Sequence, residues 1–190
     1  TKFTSEMLTQ MLELDCVVQQ IPSPTFDEQQ KAAFVLEQFQ RDGLRDAHID
    51  SAGNVLARIA GGEGRPVVIS AHMDTVHPAH VPLTQHRSAE QIHGPAIGDN
   101  SLGVAALLML PRLLRAQNFT PPADIWLVGN TCEEGLGDLR GMRAIVDHFG
   151  SLPRAYLVLE GMGLGQVYHR GLGVERYRIT ARTKGGHSWV

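Results

Sequence analysis

Apolar residues near the start of the chain recur at helical spacing. Met7, Met11 and Val18 fall on one face of a helix predicted over residues 5–20, because one helical turn takes about 3.6 residues. The proline-containing run at residues 21–24 ends that helix.

A second amphipathic helix is predicted directly afterwards. Thr25 and Glu28 form a T-x-x-E pattern, which is typical of a helix start where two side chains cap free backbone N–H groups. Val35 and Phe39 then point to the core, and Gly43 ends the helix.

Short apolar runs predict strands, which alternate with helices in the second half of the chain. The predicted strands are residues 48–50, 54–59, 67–72, 125–130 and 155–159, with helices at 102–114 and 142–149 and a glycine turn at 61–64. This order favours an α/β fold, in which a largely parallel sheet is flanked by helices on both faces.

The pattern changes at Gly171. Residues 174–182 alternate apolar and polar side chains, as expected for a half-exposed antiparallel strand. We therefore expect one domain over residues 1–170 and the start of a second over residues 171–190. Since the chain stops directly after this strand pattern, we also expect it to be a fragment of a longer protein.

Composition indicates a soluble globular protein, with 190 residues, 43% hydrophobic residues, 19% charged residues and a formal net charge of −3. The absence of a basic block argues against nucleic-acid binding. The apolar stretch 102–114 is too short to cross a membrane. No signal peptide is visible, and Cys16 and Cys132 are expected to be reduced, which favours the cytoplasm.

Candidate chemistry lies where the apolar runs end. His72 and Asp74 follow the third predicted strand and point the same way, because side chains alternate faces along a strand. Carboxylates occupy three comparable places, at Asp99 before an apolar helix, at Glu133 and Glu134, and at Glu160. The carboxyl ends of parallel strands meet at one edge of a sheet, so these residues are expected to converge.

Five carboxylates beside one imidazole would repel one another unless cations neutralise them. Mixed histidine and carboxylate ligands suit Zn²⁺, and also Mn²⁺ or Co²⁺. The number of carboxylates favours two metals about 3.5–4 Å apart with a shared bridging carboxylate. Because Glu133 and Glu134 are adjacent, one can bind metal while the other takes a proton from a metal-activated water as general base.

Other motifs do not support a different chemistry. His77 and His80 lie in a predicted loop without a flanking element to fix them as a metal pair. The glycine runs at 135–137 and 161–165 do not complete the G-x-G-x-x-G pattern of dinucleotide-binding proteins. No G-x-S-x-G motif of a serine hydrolase is present.

Taken together, these motifs resemble the M20 family of co-catalytic zinc peptidases and amidohydrolases. The matching stretches are residues 70–76, 98–100, 131–135, 159–161 and 185–188, in the family's order. The resemblance covers only the N-terminal portion of that family, which includes carboxypeptidases, dipeptidases, tripeptidases, aminoacylases, and deacylases of acetylornithine or succinyl-diaminopimelate. It implies metal-dependent hydrolysis of a peptide or an N-acyl amino acid.

The resemblance also implies residue roles. His72 and Glu160 would bind one zinc ion, Glu134 the other, and Asp99 would bridge them through a segment with a cis peptide at Asp99-Asn100. Glu133 would be the general base, and Asp74, the other catalytic residue, would be the partner of His72 that orients its ring. His187 would belong to an inserted α+β lid domain, where it would bind substrate.

Two departures follow from the same resemblance. The second metal of the family needs a histidine downstream of the lid, beyond Val190. We therefore expect this chain alone to be inactive and its parent to be active. Relatives often form homodimers through the lid, so a homodimer is expected for the full-length protein.

Two alternatives remain beside the M20-type hydrolase. One is a non-catalytic M20-like module that binds or dimerises, although the intact set of acidic residues and His72 argues against it. The other is a related two-zinc aminopeptidase without a lid, which the Gly-Gly-His run at 185–187 disfavours.

Overall fold

The computed structural model describes residues 4–161, 163 and 165–187. In chain order, the helices are α1 (Ser5–Gln19), α2 (Gln29–Arg41), α3 (Leu102–Ala116) and α4 (Arg140–Phe149), and the strands are β1 (Arg45–Ile49), β2 (Val55–His72), β3 (His86–Arg87), β4 (Ile92–His93), β5 (Ala123–Asn130) and β6 (Ala155–Val158). A π-type turn at Ile97–Ser101 precedes α3, and a short 3₁₀ turn at Gly135–Gly137 precedes α4. The predicted helices and strands up to residue 158 are therefore confirmed, apart from their exact ends.

The sheet is mixed rather than largely parallel. Strand β2 pairs with β1 antiparallel and with β6 parallel, and it also pairs with β5. The direction of pairing between β2 and β5 changes along β2. In the first half, Val55 lies opposite Gly129 and Ile59 opposite Ile125, so the strands are antiparallel. In the second half, Val67 lies opposite Ile125 and His72 opposite Asn130, so they are parallel. The two halves of β2 therefore flank β5 on opposite sides, and its second half runs parallel to β5.

The reversal of β2 takes place at the predicted glycine turn. The N–H of Gly62 donates to the carbonyl of Pro121 (3.1 Å). A Cβ atom at Gly61 would lie 2.1 Å from the carbonyl oxygen of Ala123. A residue without a side chain is needed here because two backbone segments are in contact. At this contact β2 turns around the beginning of β5.

The two faces of the sheet are covered by different helices. Helices α1, α2 and α3 pack on one face, with Val18, Phe39 and Leu107 among the fully buried side chains. Helix α4 covers the other face through Ile145 and Phe149. The prediction of helices on both faces is confirmed, and both cysteines are free thiols, as expected.

The beginning of α2 differs from the predicted capping box. Helix α2 begins at Gln29, and no side chain caps its first turn. Thr25 instead donates its hydroxyl to Asp74 (2.9 Å). Glu28 accepts from the N–H groups of Phe26 and Cys132 (3.1 and 3.0 Å). The predicted capping pair is therefore wrong: Thr25 binds the distant Asp74, and Glu28 binds the N–H groups of Phe26 and the distant Cys132.

The element Ile97–Ala116 is long and apolar enough to cross a membrane by length and composition alone. Half of it is buried inside the protein, where Val104, Leu107 and Leu108 belong to the main core. Core helices of soluble proteins share this composition, so the element carries no argument for a membrane span. Pro111 lies inside α3, which continues to Ala116, so it does not end the helix.

The predicted strand at 174–182 is not found. Residues 166–187 contain no helix or strand, and apolar side chains such as Val174 and Ile179 are exposed. An alternating strand needs a neighbouring strand to bind its backbone groups, and the described part of the chain offers none here. The first strand of a lid domain is therefore not confirmed, and the division at residue 171 stays a prediction.

Candidate metal centre

His72 is the centre of the predicted cluster and comes at the very end of β2. Its side chain is 2% exposed. Its Nδ1 lies 3.0 Å from the backbone carbonyl oxygen of Asp74 and 3.5 Å from the Asp74 carboxylate. Its Nε2 faces two other carboxylates, 3.0 Å from Asp99 and 3.6 Å from Glu160. This arrangement fixes the ring and leaves Nε2 directed at the acidic cluster.

Asp74 joins the end of β2 to the loop that follows β5. Its two carboxylate oxygens accept hydrogen bonds from the backbone N–H groups of Glu133 (2.9 Å) and Glu134 (3.0 Å). The hydroxyl of Thr25 donates a third (2.9 Å). Asp74 therefore positions three neighbours at once, namely His72 and the two glutamates.

Asp99 is held by the π-type turn before α3. The Asp99-Asn100 peptide bond is cis, as the resemblance implied. The Asn100 side chain donates to the carbonyl of Leu159 (2.9 Å) and accepts from the N–H of Gly103 (3.1 Å). These bonds tie the Asp99 segment to the end of β6 on one side and to α3 on the other.

Glu160 reaches the cluster from the end of β6. Its carboxylate accepts a hydrogen bond from the N–H of Gly161 (2.8 Å). A Cβ atom at Gly161 would lie 2.4 Å from the carbonyl oxygen of Gly98. The backbones next to Asp99 and Glu160 therefore touch, which brings the two carboxylates to the same histidine.

Glu133 and Glu134 follow β5 and are both half-buried. Ligand atoms of His72, Asp99 and Glu134 lie within 4.8 Å of one another, close enough to share a metal ion. The structure therefore brings together all six residues predicted for the cluster.

Electrostatics show that this cluster attracts cations. Burial lowers the pKa of His72, but the neighbouring carboxylates of Asp74 and Glu160 outweigh it and raise the pKa to about 10. Burial raises the pKa of Glu133 and of Glu134, and the surrounding carboxylates raise both further. A site that raises the pKa of His72, Glu133 and Glu134 together favours added positive charge.

Two of these carboxylates are held in the ionised form. Burial opposes the charge of Asp74, but His72 and the N–H groups of Glu133 and Glu134 lower its pKa below the usual value. For Glu160, hydrogen bonds from His72 and Gly161 likewise outweigh burial and lower the pKa. Both groups accept hydrogen bonds as anions, as expected of a metal ligand and of a group that orients one.

The residues present fit a divalent metal ion. A histidine nitrogen and several carboxylate oxygens are a common donor set for zinc, and the number of carboxylates leaves room for a second ion. His187 lies in the exposed segment after β6, and its predicted contact with substrate stays a prediction. Sequence reasoning missed Thr25 and Asn100 as supporting residues, because no local pattern signals partners 49 and 59 residues away.

Several solved structures with a similar fold are named as peptidases. The aminopeptidase PepT from Bacillus cereus is 20% identical, with a TM-score of 0.70, and the match covers 82% of this chain and 44% of that chain. A tripeptidase from Staphylococcus aureus is 22% identical, with a TM-score of 0.67 and the same coverage. This chain therefore spans less than half of either structure, and at these identities the similarity concerns the fold.

The M20 family is represented among these similar structures. A Bacillus subtilis protein described as a dinuclear metal-binding peptidase of that family is 13% identical, with a TM-score of 0.62 and coverage of 82% of this chain and 43% of that one. No curated protein matches the chain.

The family model that matches the sequence is a different one from the family predicted. It describes peptidase family M28, and the match covers residues 54–168, which include His72, Asp74, Asp99, Glu133, Glu134 and Glu160. The prediction of a metallopeptidase catalytic domain stands, while its M20 assignment gives way to the family that fits the sequence better. Because the match extends over more than half of the chain, the chain belongs to peptidase family M28.

Proposed function

We propose that this protein is a metal-dependent peptidase whose metal centre is built on His72. The observation that carries the proposal is the convergence of His72, Asp99 and Glu134 within 4.8 Å, next to Glu133, which is not needed as a ligand. Membership of a peptidase family and the similarity to aminopeptidase and tripeptidase structures support a peptide bond as the target.

The positions of the nitrogen and oxygen atoms around His72 indicate which residues would bind the metal. His72 offers Nε2, Glu160 and Asp99 lie beside that nitrogen, and Glu134 completes the group. We assign Asp99 to the bridging position, since it lies within reach of both His72 and Glu134. When bound, a divalent ion here would lower the pKa of a water molecule and polarise the carbonyl of the substrate. Zinc is the metal that this donor set favours, with cobalt and manganese as substitutes.

Glu133 is assigned as the general base. It is half-buried and directly precedes the proposed ligand Glu134. Its raised pKa lies closer to neutral pH than that of an ordinary glutamate, which suits a general base. It would accept a proton from the attacking water and pass it to the leaving amine. Asp74 acts through its neighbours: it orients His72 and holds the N–H groups of both glutamates.

The substrate is proposed to be a short peptide, with N-acyl amino acids as the second choice. Every similar structure described above is named as a peptidase, which favours peptides over the N-acyl amino acids that a deacylase would cleave. A substrate contact by His187, a lid beginning at residue 171, a homodimer through that lid and a cytoplasmic location are parts of the same proposal. They rest on the sequence alone: the first three on the family resemblance and the change of pattern at Gly171, and the last on the two cysteines expected to be reduced.

The test separates metal binding from hydrolysis. Glu133→Gln keeps the size of the side chain but removes the base, so the whole protein should keep its zinc and lose at least about 100-fold in turnover of Leu-Gly-Gly. Zinc is measured by mass spectrometry and hydrolysis by release of leucine. Glu63→Gln, at an exposed position in β2, is the control and should change neither.

Three results would contradict the proposal. Turnover by the Glu133→Gln variant above about a hundredth of wild type would reject Glu133 as the base. A folded chain without metal after addition of zinc would reject the metal centre. Cleavage of N-acetyl-leucine but not of any peptide would keep the metal centre and change the substrate class.

A further inference from the structure

Helix α1 contains a buried carboxylate that the proposed function does not use. Asp15 is 3% exposed, and its Oδ1 atom has no hydrogen-bond partner among the described residues. Burial raises the pKa of Asp15 to about 7. A buried carboxylate is costly to ionise without a partner, so a hydrogen-bond donor or cation that reached Asp15 would stabilise its charged form.

Asp15 belongs to the lining of a surface pocket of about 280 Å³. This volume lies just below the usual range of small-molecule sites, which begins at about 300 Å³. Apolar side chains form much of the wall, and hairpin residues form the rim. Its lining includes Leu12, Arg87, Ile92, Ile97 and Leu102.

The rim of the pocket carries a cation without an ion pair. Arg87 is exposed and makes no salt bridge within the described residues. The pKa of the Cys16 thiol is raised, and burial is the largest cause. The charge of Asp15 raises this pKa further, whereas the charge of Arg87 lowers it. The two opposite charges therefore act on the same thiol, although they do not pair with each other.

The hairpin that carries Arg87 is attached to α1. The side chain of Gln85 donates to the carbonyl of Cys16 (2.8 Å) and to the side chain of Gln19 (2.7 Å). These bonds hold β3 beside the helix turn that carries Asp15. The pocket therefore has a buried carboxylate, Asp15, on a helix that is joined to the hairpin segment carrying Arg87, and an exposed carboxylate, Glu90, also lies in its lining.

We propose that this pocket binds a free α-amino acid with a branched apolar side chain. The ammonium group would donate to Asp15, the carboxylate would pair with Arg87, and the side chain would contact Leu12, Ile92 and Leu102. Each charge of the ligand thus meets an opposite charge that lacks a partner, and charge-assisted hydrogen bonds of this kind are the strong ones. The pocket is not the metal centre, so the proposal does not depend on the proposed hydrolysis.

The test uses leucine as the probe, with binding followed by calorimetry at pH 8 on the metal-free chain. Leucine should bind saturably, while N-acetyl-leucine, which lacks the ammonium group, and leucinamide, which lacks the carboxylate, should each bind at least about fivefold more weakly. Asp15→Asn, which has nearly the same shape, should weaken leucine binding about tenfold or more. Glu13→Gln, exposed on the same helix, is the matched control and should bind like wild type.

A variant of the metal centre separates this pocket from the proposed active site. Asp99→Asn should leave leucine binding unchanged, because Asp99 does not line the pocket. The proposal is overturned if leucine does not bind, if Asp15→Asn binds leucine as wild type does, or if Asp99→Asn abolishes binding. Circular dichroism of each variant confirms that it is folded, and Arg87→Ala provides a second test at an exposed position, with weaker leucine binding expected.

Discussion

Lys31 is a second buried charge close to the metal centre. It lies in α2, is 3% exposed and has no hydrogen bond or ion pair within the described residues. Burial lowers its pKa to about 8, although the charge of Asp74 opposes that change. Asp74 already accepts three hydrogen bonds besides its contact with His72. The ammonium group of Lys31 therefore adds little to the stabilisation of the Asp74 carboxylate.

We predict that Lys31→Met makes the fold more stable at pH 7. A pKa lowered from 10.5 to about 8 corresponds to at most roughly 3 kcal/mol, at about 1.36 kcal/mol per unit. The ammonium form is the costly one, so the cost is complete below pH 8. It disappears as the pH rises toward about 10.4, where the lysine of the unfolded chain also loses its proton. Urea unfolding at pH 7 and pH 10 measures the difference.

The matched control is Lys184→Met, because Lys184 is exposed in the segment after β6. It should leave the free energy of unfolding unchanged at both pH values. A Lys31→Met variant that is less stable than wild type at pH 7 would contradict the argument. It would mean that attraction between Lys31 and Asp74 exceeds the cost of burial.

At the scale of elements, the beginning of α4 is packed directly against the strand end that leads to the two glutamates. Asn54 accepts from the N–H of Thr131 (3.1 Å) and donates to the carbonyl of Gly141 (3.1 Å). The N–H of Gly141 donates to the carbonyl of Thr131 (3.1 Å). The loop that positions Glu133 and Glu134 is therefore held between β2, β5 and α4.

We predict that Gly141→Ala destabilises this contact. A Cβ atom there would lie 2.3 Å from the Thr131 carbonyl oxygen and 2.4 Å from Asn54 Oδ1, so α4 must move away from the strand end. Overpacking of this kind costs about 1–3 kcal/mol, and it should also weaken zinc binding because Glu134 follows the same strand. Thermal unfolding and zinc titration measure the two effects.

Gly171→Ala is the control for that substitution. Gly171 is exposed and no atom lies within 4 Å of a Cβ placed there, so neither stability nor zinc affinity should change. Equal zinc affinity in wild type and Gly141→Ala would show that the loop adjusts without moving its ligands.

Apart from the two-residue strands β3 and β4, the helices and strands up to β6 could be predicted from the sequence because each carries a local signal. The apolar spacing of α1 and the glycines that turn β2 are examples. The sheet order could not be predicted, because the two halves of β2 bind opposite sides of β5 and no local pattern encodes that choice. The strand at residues 174–182 was predicted from alternation alone, which describes a half-exposed surface but does not provide a neighbouring strand.

At the scale of the whole molecule, the metal centre joins segments that lie far apart in the chain. His72 ends β2, Asp99 precedes α3, Glu134 follows β5 and Glu160 follows β6. Strand alternation and the placement of acidic residues at strand ends were enough to predict this set. The supporting bonds of Thr25 and Asn100 were not predictable, because they depend on how loops distant in sequence pack together.

Since the proposed ligands come from four segments, metal binding should stabilise the fold as a whole. An ion that binds only the folded state at about 100 times its Kd adds roughly 2.7 kcal/mol. For a domain of this size, each kcal/mol raises the Tm by about 2–4 °C, so zinc should raise the Tm by roughly 5–10 °C. Asp99→Asn should lose most of this shift, because it removes a central ligand whose side chain is half-exposed and whose replacement leaves no cavity. Asp147→Asn, at an exposed position on α4, is the control and should keep the full shift. An equal shift in wild type, Asp99→Asn and Asp147→Asn would place the bound zinc elsewhere on the molecule.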